Sequence, residues 1–151
     1  WLNRKTFYMG RKLNHAWYPD RKLRLVRKNA SPRWAGSDVH EHLIVEGKTE
    51  LLKGELIHHS YKDFTDHMQK TIKYARLSAE SYQRKGKKAK KKDIIFRPIF
   101  AMINKLLLKR AILDGAPGII AALSGAFYVY MKYSYLWELN NMEIKQEKNS
   151  I

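Results

Sequence analysis

The residue types that can do chemistry crowd the centre of the chain. Trp34-Ala35-Gly36-Ser37-Asp38-Val39 leads into His40-Glu41-His42, and His58-His59 follows after a short interval. Four histidines within twenty residues, among acidic neighbours, raise the question of a metal. A zinc site needs three or four ligands, and His40 and His42 at i,i+2 share one face of a strand. The spacing matches no closed zinc motif, so a dedicated His-only site is not expected. In a regular strand Glu41 points away from both histidines, towards the side of Leu43 and Val45. A carboxylate in that place calls for a loop or a cleft beside it, and a Glu on a cleft rim is suited to act as a general base. Other catalytic templates fail. No Gly-rich phosphate loop precedes a helix, and neither G-x-S-x-G, H-E-x-x-H nor Asp-x-Asp occurs. No helix-turn-helix, zinc-finger or RNP-type motif is present either.

The elements that must position these residues fall into two kinds. Up to about residue 60 the signals favour strands and turns. Tyr18-Pro19-Asp20 is turn chemistry, and residues 23–27 (LRLVR) form a β-prone run that Ser31-Pro32 closes. Residues 42–45, then Glu46-Gly47, then 51–57 suggest a hairpin-like pair, which Gly54 weakens. After Ser60 the period changes. Ser60 with Asp63 is a helix start, and Phe64, Met68, Ile72, Ala75, Ala79 and Tyr82 make one apolar stripe that ends near Gly86. That stripe is expected to be core. Residues 84–92 (RKGKKAKKK) carry seven basic side chains in nine and are expected to form a solvated linker. A further helix is expected from Pro98, with Asn104, Lys105, Lys109 and Arg110 in its polar sector. Asp114-Gly115-Ala116-Pro117-Gly118 breaks it. Residues 116–131 then run without a charge into an aromatic cluster before Lys132. That run is short for a membrane span and suits either a headgroup-level anchor or a buried core helix.

Charge separates the same regions. The chain has 151 residues and a net charge of +16. Residues 1–37 carry +9, 38–60 carry −3, 61–113 carry +11 and 114–151 carry −1. A balance this basic asks for a polyanionic partner, whether nucleic acid, an anionic membrane surface or a phosphorylated substrate. A hydrophobic fraction of 44% excludes a disordered basic tail, and the absence of cysteine excludes a disulfide scaffold, a thiolate metal site and a Cys nucleophile.

The ordered motifs carry a resemblance. Trp17-Tyr18-Pro19-Asp20, Lys22-Leu23-Arg24-Leu25-Val26-Arg27-Lys28, Trp34-Ala35-Gly36, Val39-His40-Glu41 and Leu52…Gly54…Ile57-His58-His59-Ser60-Tyr61 stand in an order that resembles the second half of family 2 glycosyltransferases. The group in view is the lipopolysaccharide-core and related envelope-glycan enzymes. Lys73-Tyr74-Ala75, Gly86-Lys87, Arg97-Pro98 and Leu113-Asp114-Gly115…Gly118 extend the resemblance, which runs from about residue 7 to about 139.

What the resemblance implies is an α/β parent of GT-A type. The present chain would be its α+β later part, strand-rich at first and then built of two or three helices. The chain opens at Trp1 without an initiator Met or signal pattern, and is expected to be the trailing piece of a longer protein. On its own it is expected to be inactive, since the nucleotide-binding half with its Asp-x-Asp is absent. Residues 1–60 would be the acceptor side of the catalytic domain, 61–93 an amphipathic helix and basic linker, and 94–151 membrane-associating helices. The implied reaction is inverting sugar transfer from a nucleotide-sugar donor to a lipid-linked or lipopolysaccharide-type glycan, with a divalent ion, Mg or Mn, steadying the leaving diphosphate. Glu41 is then the candidate base with His40 beside it, Trp17, Asp20, Arg24 and Trp34 shape the substrate cleft, and His58 is the candidate near the diphosphate or metal. Lys87, Lys88, Lys105, Lys109 and Arg110 would face an anionic membrane surface, with the protein peripheral or monotopic on the cytoplasmic side of a bacterial inner membrane. Two readings of other classes compete: a basic nucleic-acid-binding module, which the apolar run 116–131 disfavours, and a non-catalytic membrane-anchoring domain.

Overall fold

A computed structural model describes residues 1–36 and 41–149, with side chains placed as far as residue 142. The fold is α+β, with short strands first and three helices after them. The central strand β1 (Leu2–Tyr8) pairs antiparallel with β2 (Arg11–Lys12) and β3 (Arg21–Lys22). A separate antiparallel ribbon joins β4 (Arg33–Ala35) to β5 (His42–Ile44), with Trp34 opposite Leu43. On the other side of β1 lies β6 (Glu55–His59), parallel to it, with Thr6 opposite His58. The β1–β2 turn is a two-residue loop, Met9-Gly10, with both residues at positive φ (48° and 74°). That geometry matches the right-handed twist of the two strands, and Gly10 adopts it without strain.

Helix α1 (Phe64–Arg84) starts at Asp63, whose carboxylate accepts the Asp66 N–H at 2.8 Å. Asp66 in turn accepts from Lys62 N–H and from Lys70 Nζ. The helix ends where Gly86 takes φ 67° and the Lys87 N–H turns back to the Tyr82 carbonyl. Helix α2 (Lys91–Ile103) starts at Lys90, whose N–H is accepted by Asp93 at 2.9 Å. One π-helical turn (Asn104–Leu108) and one 3₁₀ turn (Ala111–Asp114) lead into α3 (Ala116–Asn149). Both α1 and α2 pack on α3. A Cβ at Gly118 would collide with the Ala111 carbonyl, so glycine lets the start of α3 seat against the 3₁₀ turn.

Two apolar clusters hold these parts together. Tyr8, Leu13, Ala16, Ala111, Ala121 and Ala122 join the sheet to α3. Ala79, Tyr133 and Leu136 join α1 to α3, edged by Tyr82, Ile94 and Val129. Helix α3 takes part in both clusters, so it links the sheet to α1.

Several local expectations are corrected. Residues 23–27 form no strand; only Arg21–Lys22 pairs there. The 42–45 and 51–57 segments are not a hairpin, because β5 pairs with β4 and β6 runs parallel to β1. The stripe on α1 is displaced in part. Ala75 and Ala79 of the stripe are buried as expected, but Phe64 and Ile72 are exposed and His67, Thr71 and Ser78 are buried in their place. Small side chains on that face bring α1 close to α3, where Ser78 Oγ meets the Tyr128 hydroxyl at 2.7 Å. Pro98 lies inside α2 rather than at its start, because Asp93 caps the helix well before it. No helix among the described residues is long and apolar enough to cross a membrane.

Candidate functional site

Sheet, helices and loops line an open cavity of about 830 Å³, within the size range of small-molecule sites. Strand β1 contributes Arg4, the loop after β2 contributes Trp17, and the segment at and after β3 contributes Lys22 and Arg24. Glu41 stands on its wall just before β5. His67 comes from α1, Lys105 from the π-helical turn, and Gly125 and Tyr128 from α3.

The Trp17 loop is fixed by a contact from far along the chain. The Asp114 carboxylate, at the end of the 3₁₀ turn, accepts the N–H groups of Asn14 (2.9 Å), His15 (3.0 Å) and Ala16 (2.8 Å), and also meets His15 Nδ1 at 2.9 Å. Burial alone raises the pKa of such a carboxyl. These donors outweigh that effect, and the group is held below the usual carboxylate range. The clamp sets Trp17 among Tyr8, Tyr61 and His67, with ring centroids 5.2, 6.0 and 5.9 Å away.

His67 is the chemically unusual member of this group. It is 3% exposed, stacks on Tyr61 at 4.1 Å and is hydrogen-bonded through Nδ1 to the Tyr8 hydroxyl at 2.6 Å. Burial, and then the neighbouring Lys105 charge, push its pKa down to about 4. The ring is therefore neutral at physiological pH. Burial also pushes the Tyr8 phenol up to about 12. Nothing in the spacing of the sequence singles out His67, which lies on a helix outside the His-rich centre.

The other expected site residues divide. Trp17, Arg24 and Glu41 line one cavity. Asp20 lies outside it. It forms an ion pair with Arg4 (Nε to Oδ2 2.6 Å) and another with Lys22 (3.1 Å), and it faces a smaller adjoining hollow. Trp34 is 61% exposed on β4, outside the described lining of the cavity, and it neighbours that lining through its strand partner Leu43 and through Arg24, which lies 5.8 Å over its ring. His40 lies outside the described residues. His58 is half-buried on β6, its pKa lowered by burial and by Arg4. Among the described residues no three His, Asp or Glu side chains converge to hold a metal.

The basic residues assigned to a membrane surface also separate. Lys88, Lys109 and Arg110 are exposed, and Lys87 lies 4.3 Å over the Tyr82 ring. Lys105 is a correction: the π-helical turn swings it inward, half-buried, to 5.7 Å over the Trp17 ring. Beyond the cavity, α2 and the π-helical turn carry large apolar side chains that no described residue covers. Phe96, Phe100, Leu107 and Leu108 are 66%, 66%, 62% and 74% exposed, with Ile95 and Ile99 beside them. The chain matches no family model and no solved structure.

Proposed function

We propose that this chain is the acceptor-binding part of an inverting glycosyltransferase of the family 2 type, acting on a lipopolysaccharide-core or other envelope glycan. The observation that carries the reading is the single cavity that gathers Glu41, Trp17, Arg4 and Arg24 from four separate parts of the fold. Glu41 is the one carboxylate on its wall among the described residues. In the proposed reaction Glu41 takes the proton from an acceptor hydroxyl as that oxygen attacks the anomeric carbon of the donor. The new glycosidic bond forms on one face of the sugar. The bond to the diphosphate breaks on the other and its electron pair leaves with the nucleotide, so the anomeric centre inverts. Trp17 supplies the apolar wall against which a sugar ring packs, held in place by the Asp114 clamp.

The place proposed for this reaction is the surface of an anionic membrane. The exposed face of α2 supports it: apolar side chains at Ile95, Phe96, Ile99, Phe100 and Ile103 recur at helical spacing, with Lys91 and Lys92 at one end and Lys109 and Arg110 beyond the other. An apolar stripe between cations matches a helix lying in the headgroup layer, where each basic residue contributes about 1 kcal/mol. The same stripe disfavours a nucleic-acid partner, whose phosphates offer nothing to an apolar ridge. Replacing Glu41 by Gln in the native full-length protein tests the chemistry. Transfer is expected to fall by at least about a hundredfold while nucleotide-sugar affinity stays within twofold. Retained turnover would remove Glu41 from the role of base.

A further inference from the structure

The cavity carries more positive charge than its own carboxylates answer. Arg4, Arg21, Lys22, Arg24 and Lys105 line it, against Glu41 alone among the described residues. Asp20, just outside, neutralises part of this through its ion pairs with Arg4 and Lys22. Arg24 and Lys105 have no carboxylate partner among the described residues; each lies over an indole, Trp34 and Trp17 respectively.

Lys105 is the more telling of the two. Withdrawing an ammonium from water without an anion to meet it is costly, and most lysines avoid it by extending to solvent. Here the backbone is shaped to do the opposite. The extra residue of the π-helical turn aims the side chain inward, a device that recurs at functional sites. Gly125 on α3 leaves the space for it: a Cβ there would stand 2.9 Å from Lys105 Nζ. Burial, and then Lys109, hold the Lys105 pKa below the usual lysine range, as expected of a cation awaiting a counter-charge.

We infer that the cavity seats a phosphomonoester, bound between Lys105 and Arg24, and that this group is carried on the acceptor glycan. A phosphomonoester carries close to two negative charges at neutral pH and three acceptor oxygens, which matches two cations without a carboxylate partner among the described residues better than a carboxylate does. The anion seat is argued from the cavity alone. That it belongs to the acceptor rests on the glycosyltransferase reading, since Glu41 lines the same wall. The acceptor class is then narrowed to phosphorylated glycans, and the phosphate holds the sugar while Glu41 addresses its hydroxyl.

Glucose 6-phosphate titrated into the native full-length protein tests this, with glucose, glucuronate and UDP as parallel ligands and the Trp17 indole N–H resonance as the reporter. Glucose 6-phosphate should shift that resonance saturably and bind at least tenfold more tightly than glucose or glucuronate. Lys105→Met should weaken it tenfold or more while leaving thermal stability equal or higher, because a half-buried charge has been removed. Gly125→Ala, which displaces the ammonium without removing it, should weaken binding in the same direction and serves if Lys105→Met does not fold. Undiminished binding in both variants would overturn the seat. So would tighter binding of glucuronate than of the phosphate. If UDP alone depends on Lys105, the anion site belongs to the donor diphosphate and the acceptor assignment is overturned. The transfer assay on Glu41→Gln reads the reaction separately. Phosphate binding without any transfer would sink the glycosyltransferase reading and leave the anion seat standing; transfer without phosphate binding would do the reverse.

Discussion

Lowering the pH from 7 should destabilise the fold through His67 before any buried carboxylate is touched. The ring is 3% exposed and its pKa lies at about 4 in the fold, against 6.5 for the free side chain. Between these values the unfolded chain binds a proton that the folded chain does not, so stability falls as pH falls through the window. Stability is complete above about pH 6.5 and its loss is complete once pH drops below about 4. A depression of roughly 2.5 units corresponds to about 3 kcal/mol, a large part of the 5–15 kcal/mol typical of a domain. The steepest slope is about 1.4 kcal/mol per pH unit. Urea unfolding at half-unit steps from pH 7 to pH 4.5 measures it, with an NMR titration of the His67 ring alongside. His58, lowered by burial and by Arg4, contributes with the same sign, so the comparison with His67→Gln is what isolates His67. That variant loses the stack on Tyr61 and starts less stable at pH 7. Its slope between pH 6.5 and 4.5 should nevertheless be much shallower. A His67 ring that titrates near 6.5, together with an unchanged slope in the variant, would refute the reasoning.

Asp114→Asn should cost about 2–3 kcal/mol, lowering Tm by roughly 5–10 °C, because one charged acceptor serves three backbone donors. The stabilisation it gives is present above about pH 4 and is lost as pH falls through its depressed folded pKa, a window below that of His67. Met9→Asn should raise stability by about 1 kcal/mol, since Asn tolerates the positive φ at the first turn position and Met does not; chemical denaturation reads it. Phe96→Asp with Phe100→Asp should reduce binding to phosphatidylglycerol-containing vesicles more than tenfold, and sedimentation at matched ionic strength would show it. Equal vesicle binding, or a dimer broken by the same changes, would give the α2 face a different occupant.

Legibility in the sequence followed the range of the interactions. Helix α1 is plain from its period, and its buried face is legible only in part. Ala75 and Ala79 are inside as the stripe requires, but the large side chains of Phe64 and Ile72 are not, because close approach to α3 selects small residues such as Ser78. The parallel pairing of β1 with β6 spans some fifty residues, and a local hairpin pattern outcompeted it on paper. Pro98 and the run of lysines concealed the start of α2, because the capping contact at Asp93 lies within what reads as a solvated linker. Trp17, Arg24 and Glu41 emerged from motif order and share one cavity. The Asp114 clamp, the neutral His67 and the inward turn of Lys105 carry no local signature, since each depends on partners brought together only by folding.

The central claim is that this cavity binds a glycan whose hydroxyl Glu41 deprotonates during sugar transfer. Its most direct measurement is single-turnover transfer of a radiolabelled hexose, from a panel of UDP-, GDP- and ADP-sugars, to envelope-glycan acceptors by the native full-length protein and by Glu41→Gln. Transfer with inversion in the native protein, reduced at least a hundredfold in the variant with donor affinity intact, is the predicted result. Equal rates in the two proteins, or no transfer from any donor, would contradict it.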